Sequence, residues 1–363
     1  MYQKQTSEAI QMLKKLISIP SFSREEKEAA DFLENFIREK NRKVIRKENN
    51  IVVFGKNFDK NKPTLLLNSH IDTVKPVSGW TIDPFAPVEK EGKLFGLGSN
   101  DAGASLVSLL ETFFILDEKE QTYNLIFLAS AEEEVSGKNG VELALTTINS
   151  ELGTRNSELF AIVGEPTEMK LAVAEKGLMV LDCTAYGKAG HAARDEGDNA
   201  IYKALTDIEW VKNYRFEKVS DFLGEVKTNV TQVNAGTQHN VIPDKCTFVV
   251  DVRSNELYSN EELLALIKEN VSCEVAARST RLSSTETPRN SAIIKKAREL
   301  NIEMFGSPTL SDQALMRFPS VKIGPGKSER SHTADEFIEI QEIEKGIGLY
   351  VSLLNGIELK NRL

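Results

Sequence analysis

The chain has 363 residues, with 45 basic and 54 acidic side chains and a formal net charge of −9. Hydrophobic residues make up 40% and charged residues 27%, a globular composition that excludes disordered and collagen-like chains. The acidic balance without a basic run argues against nucleic acid as a partner, and no apolar run approaches the roughly 18 residues that span a membrane.

At roughly 100–200 residues per domain the length predicts two domains. The N-terminal stretch has no continuous apolar region, so no secretory leader is expected. Cys183, Cys246 and Cys273 form no CxxC pair, which points to a reducing cytoplasm rather than a disulfide framework. Ala9, Met12, Leu13, Leu16 and Ile17 predict a first helix, stopped by Pro20. Ser23 with Glu26 reads as a capping box, opening a second helix whose apolar face is Ala29, Phe32, Leu33, Phe36 and Ile37.

Short apolar runs come next at Ile51–Phe54, Thr64–Leu67, Leu125–Leu128 and Phe160–Val163, with a helical pattern from Ala104 to Leu116. Strands that read apolar throughout, separated by helices, predict an α/β domain with a mostly parallel sheet covered on both faces. Ligands bind such sheets beyond the carboxyl ends of the strands. Thr64–Leu67 runs into Asn68-Ser69-His70-Ile71-Asp72, and Leu125–Leu128 runs into Ala129-Ser130-Ala131-Glu132-Glu133-Glu134. Phe160–Val163 runs into Gly164-Glu165-Pro166. Val321-Lys322-Ile323 runs into Gly324-Pro325-Gly326, and Ser331-His332 lies just beyond. Four strands thus deliver His and carboxylates at one end, the residue types that bind divalent metals.

From about residue 174 the pattern changes. Leu178–Tyr186, Thr228–Val233 and Cys246–Arg253 alternate, with helical patterns at Asn199–Val211 and Glu261–Asn270. Residues 174–286 therefore read as an inserted α+β domain, and residues 1–173 and 287–363 as the metal-binding catalytic domain. A helical pattern resumes at Ala292–Leu300.

Each site fragment alone is weak; their shared placement gives them meaning. His70 can ligate a metal while Asp72, two residues on along an extended segment, fixes its ring. Asp101, after the turn Gly96-Leu97-Gly98-Ser99-Asn100, can bridge two cations. Glu134, Glu165 and His332 complete a set sufficient for two metals, with Glu133 beside them as a general base. Propensity does not settle which members of the Glu132–Glu134 triplet take the two functional places.

These motifs resemble the dinuclear zinc amidohydrolase and exopeptidase family of acetylornithine deacetylase, succinyl-diaminopimelate desuccinylase, aminoacylase and carboxypeptidase G. The matching stretches are Ser69–Val74, Gly96–Ala104, Ala131–Gly137, Gly164–Thr167, Gly187–Ala192, Asn240–Pro243, Gly324–Gly326 and Ser331–Glu336. The resemblance implies that His70 and Glu165 hold one Zn2+, that Glu134 and His332 hold the other, and that Asp101 bridges them. Co2+ or Mn2+ are alternatives. It makes Asp72 the orienter of His70, Glu133 the base and later the acid, and Glu132 an acidic residue that is not a ligand. It also implies a homodimer through the inserted domain, with His191 donating to the oxyanion in the partner's site. Arg253 is expected to meet the substrate carboxylate, with Asn240 and Gly326 at the same end. The sequence departs from most relatives at Leu97, where they carry Arg, and at Ala102-Gly103, where they carry Lys-Gly.

The expected reaction is hydrolysis of an N-acyl amino acid amide, of the acetylornithine deacetylase type in arginine biosynthesis. Succinyl-diaminopimelate desuccinylase is the alternative, then a dipeptidase or aminoacylase, and last a metal-free binding protein.

Overall fold

In a computed structural model, described for residues 2–153, 159–194 and 196–359, the chain divides into two compact units. One runs to Val173 and resumes over Thr287–Phe305 and from Ser311; the other takes Ala174–Glu286 and Gly306–Leu310. The short piece 306–310 belongs with the second unit because its backbone is bonded there: the Lys176 N–H donates to the Ser307 carbonyl at 3.0 Å.

The first unit is built on a sheet whose central strands are parallel. Thr64–His70 lies between Asn124–Ser130 and Leu159–Val163, and Ser320–Lys322 continues the parallel set beyond Leu159–Val163. Leu67 is level with Phe127 on one side and Ile162 on the other. The Val44–Lys47 and Asn50–Phe54 hairpin joins one flank antiparallel, and Leu171–Glu175 runs antiparallel to Ser320–Lys322. Every residue of Thr64–His70 and Asn124–Ser130 is buried, so both faces are covered. Helix Ala104–Asp117 packs over these two strands with Gln3–Ile17 and Ile340–Leu354, while Lys27–Glu39 and Val141–Leu152 pack over the hairpin flank. Each fully buried Leu, Ile or Phe of the strands is worth about 1.5–3 kcal/mol. This explains why these strands lack the alternation of a half-exposed sheet.

The expected capping box does not form. The second helix begins at Lys27 without a side-chain cap. Ser23 Oγ instead donates to Asp72 Oδ2 at 2.7 Å, and the Glu26 carboxylate accepts from the Arg24 and Glu132 N–H groups and from Asn49. Tertiary partners outcompete the local cap.

The second unit carries a four-stranded antiparallel sheet in the order Lys227–Ala235, Lys245–Arg253, Met179–Tyr186, Glu274–Ala277. Met179–Tyr186 and Lys245–Arg253 alternate in burial, and Met179, Leu181, Phe248 and Val250 form a core with Leu263 and Ile267 of helix Asn260–Asn270. That helix carries a complete Ser259–Glu262 capping box; helix Ala200–Asn213 is capped by Asn199.

One buried carboxylate in the first unit serves no site. Glu111, 2% exposed in helix Ala104–Asp117, leaves its Oε1 without a hydrogen bond. Burial, with Glu8 adding repulsion, pushes its pKa up to about 7. A carboxyl that binds its proton more tightly when folded loses stability as pH rises from about 4.5 to about 7. Glu111→Gln is therefore expected to raise the unfolding midpoint at pH 8 and to change it little at pH 4.5, the gap approaching roughly 3 kcal/mol at most. Thermal unfolding at the two pH values measures it; an equal effect at both would refute the burial argument.

Candidate active site

The carboxyl ends of the parallel strands place their polar residues together. His70 is the last residue of its strand and 2% exposed. Its Nδ1 lies 2.9 Å from the Asp72 carbonyl and 3.5 Å from Asp72 Oδ1. Its Nε2 faces Asp101 Oδ1 at 3.3 Å and Glu165 Oε1 at 3.8 Å. His332, in a left-handed conformation on a loop, turns Nε2 toward Glu134 Oε2 at 3.0 Å and Asp101 Oδ2 at 3.6 Å. The two oxygens of Asp101 thus each address a different imidazole. One donor atom from each of His70, Glu133 and Glu165 fits within a mutual 4.8 Å, as does one from each of His70, Asp101 and Glu134.

The Asp72 carboxylate is taken up mainly by other donors. Its oxygens accept the Glu133 N–H at 3.0 Å, the Glu134 N–H at 3.1 Å and the Ser23 hydroxyl. Burial alone would raise its pKa, but His70 and these donors hold it below the usual carboxylate range. The same bonds pin the backbone of the acidic triplet. Glu132, with a left-handed backbone, turns its carboxylate to the Asn139 N–H and side-chain amide. Glu133 and Glu134 are left for the cluster.

Gly98 and Gly326 shape two of the loops. Gly98 has φ 74°, and a side chain there would meet Thr73 at 2.6 Å. Gly326 has φ 93°, and a side chain there would run into the Asn100 amide, which accepts from the Lys327 N–H and donates to its carbonyl. Close approach of backbone thus gives Gly326 a packing reason of its own. Leu97 is buried, its N–H donating to Pro84, and the Asp101–Ala102 peptide bond is cis.

The electrostatics of the cluster call for cations. Burial, with repulsion from Asp101 and Glu134, pushes Glu165 up to about 8, and burial lifts Glu133 well above its ordinary value. The Glu134 carboxylate, with Asp101, raises His332 to about 9; burial opposes charge on His70, yet Asp101, Asp72 and Glu165 hold its pKa well above 6.5. Imidazole nitrogens and carboxylate oxygens crowded in this way match the donor set of zinc and similar borderline ions.

Sequence reading missed Asp312. Buried and pushed up to about 6 by that burial, it accepts from Asn68 Nδ2 at 2.8 Å and Ser130 Oγ at 2.6 Å, tying two strand ends beneath the cluster. Nothing in the local pattern around Ser311-Asp312 marks it.

The other expected residues lie in the second unit. His191 is exposed on a two-residue strand paired with Val241–Ile242, and the Ala192 N–H donates to the Asn240 carbonyl at 3.0 Å, so His191 and Asn240 are neighbours there. Arg253 Nε and Nη2 bind the Asp251 carboxylate at 2.8 and 3.1 Å.

The family model described as peptidase family M20/M25/M40 matches residues 66–356, and the chain belongs to this family of hydrolases. It is 29% identical over 300 residues to an acetylornithine deacetylase of Proteus mirabilis, covering 77% of this chain and 76% of that one. It is 23% identical over 372 residues to a succinyl-diaminopimelate desuccinylase of Wolbachia pipientis, covering 96% and 92%. Its fold matches a dinuclear metal-binding M20 peptidase of Bacillus subtilis with a TM-score of 0.72 at 16% identity, over 97% of this chain and 98% of that one. Among the described residues, no helix is long and apolar enough to cross a membrane.

Proposed function

We propose that this hydrolase cleaves the amide bond of an N-acyl amino acid with two divalent cations, zinc by preference and cobalt or manganese as alternatives, and that an N-acyl-ornithine is its substrate. The observation that carries the reading is the convergence of His70, Asp101, Glu133, Glu134, Glu165 and His332, with Asp101 facing both imidazoles. His70 and Glu165 would hold one cation and Glu134 and His332 the other, with Asp101 shared. Such a pair, when bound, lowers the pKa of water toward neutrality and polarises a carbonyl.

The protein's own groups do the remainder. The Glu133 carboxylate takes the proton of the attacking water and passes it to the leaving nitrogen; its backbone, fixed by Asp72, keeps it in place. Arg253, its guanidinium plane set by Asp251, and Asn240 are the residues of the second unit we assign to the substrate carboxylate. His191 donates to the developing oxyanion, supplied by the partner in a homodimer joined through the second unit. The long exposed edge strand Lys227–Ala235 supports that pairing. Three free cysteines support a cytoplasmic setting.

His191→Ala is expected to lower kcat by about 10²-fold while KM moves less. Mixing it with Glu133→Gln chains should restore part of the activity if the histidine acts across the dimer, and no restoration would place it within its own chain.

The ornithine reading is supported by the Proteus mirabilis relative; the desuccinylase reading is supported by the Wolbachia pipientis relative, which aligns over 96% of the chain. A release assay on acetyl- and succinyl-ornithine, succinyl-diaminopimelate and simple dipeptides, with and without chelator, separates them. Release that survives complete metal removal, or none on any amide with zinc present, would overturn the proposal.

A further inference from the structure

We infer that Glu336 is the positioning residue that sets Asp101 between the two cation positions; this rests on the proposal that Asp101 is shared. Glu336 is 2% exposed, and its two oxygens accept three backbone N–H groups of one turn. Oε1 takes Asn100 at 2.8 Å and Asp101 at 3.0 Å, and Oε2 takes Gly98 at 3.2 Å. The Glu336 carbonyl accepts the Gly96 N–H at 3.0 Å, so one residue grips the turn from Gly96 to Asp101 with both main chain and side chain. Its own place is fixed by the next residue, Phe337, which pairs with Phe95 in the small sheet of Lys93–Phe95 and Phe337–Glu339.

Three converging donors demand an acceptor-only group. A carboxylate offers about four lone-pair sites; the amide of glutamine would turn an NH2 toward at least one N–H. Burying a carboxylate beside Asp101 is costly, and the three N–H groups of the turn are what offset that cost. Glu336 also lies four residues after His332 on the same loop, and the Asn100 amide reaches Lys327 and Ser331 of that loop. The ligand on the turn and the ligand on the loop are thereby set against each other by one buried carboxylate.

The test strips Glu336→Gln, Glu336→Asp, Asp101→Asn and the parent enzyme of metal and titrates each with zinc ion against a chromophoric chelator, alongside thermal unfolding of the stripped proteins. Glu336→Gln is expected to weaken zinc binding by about 10–100-fold, the scale for residues that orient ligands. Glu336→Asp, which keeps the charge and shortens the reach, should lie between it and the parent, and serves if the amide variant fails to fold. Native zinc affinity in the folded Glu336 variants, with metal lost from Asp101→Asn, would overturn the inference alone; a lower unfolding midpoint with unchanged zinc affinity would do the same. Full zinc retention by Asp101→Asn would remove the shared-ligand reading and the inference together.

Discussion

Glu133→Gln is expected to retain its metals and its fold while turnover falls by about 10²–10⁴-fold, the range that a positioned proton-transfer group contributes. The substitution is nearly isosteric. It leaves the backbone N–H of residue 133 on Asp72 and removes only the capacity to accept a proton. Glu133 is not among the carboxylates proposed to hold the cations, so its replacement by an amide of the same shape should leave the metal content in place. The measurement is initial rate on the preferred amide, with metal content by mass spectrometry on the same sample. Substantial residual turnover would assign the base elsewhere; loss of metal would make Glu133 a ligand.

Asp101→Ala is expected to fail at the earlier stage, losing metal and with it all measurable activity. The two imidazoles then face no common acceptor: His70 Nε2 keeps Glu165 at 3.8 Å, and His332 keeps Glu134 at 3.0 Å. Two cations brought near each other without the shared carboxylate repel across a site whose mutual screening has gone. Mass spectrometry under gentle conditions should show fewer than two metals per chain. Two metals with native affinity would refute the shared role of Asp101.

Much of this site was legible in the sequence because parallel strands advertise both their burial and their ends. Runs such as Thr64–Leu67 and Leu125–Leu128 have no alternation, and the residues C-terminal to each run must emerge at the same edge of the sheet. The positions of Glu132, Glu133 and Glu134 were not legible from propensity, because a left-handed residue and the bonds from Asp72 and Asn139 decide which carboxylate turns inward. Helix Ile340–Leu354 escaped because Gly346 and Gly348 interrupt its pattern, although Ile343, Ile347, Tyr350 and Leu354 are buried along one side. The Ser23–Glu26 pair showed the opposite failure: a sound local signal, overridden when Ser23 found Asp72 and Glu26 found Asn49 and Glu132. Asp312 and Glu336 act on backbone and neutral side chains far away in the chain, and no spacing rule reports such partners.

The second unit interrupts the first between Val173 and Thr287, and this has a consequence for biosynthesis. His70, Asp101, Glu133, Glu134 and Glu165 leave the ribosome before the interruption; His332 leaves well over a hundred residues later. Until then the proposed donor set has only one of its two imidazoles. The donor set proposed for two cations is therefore complete only late in synthesis, once the stretch beyond the insertion has been made.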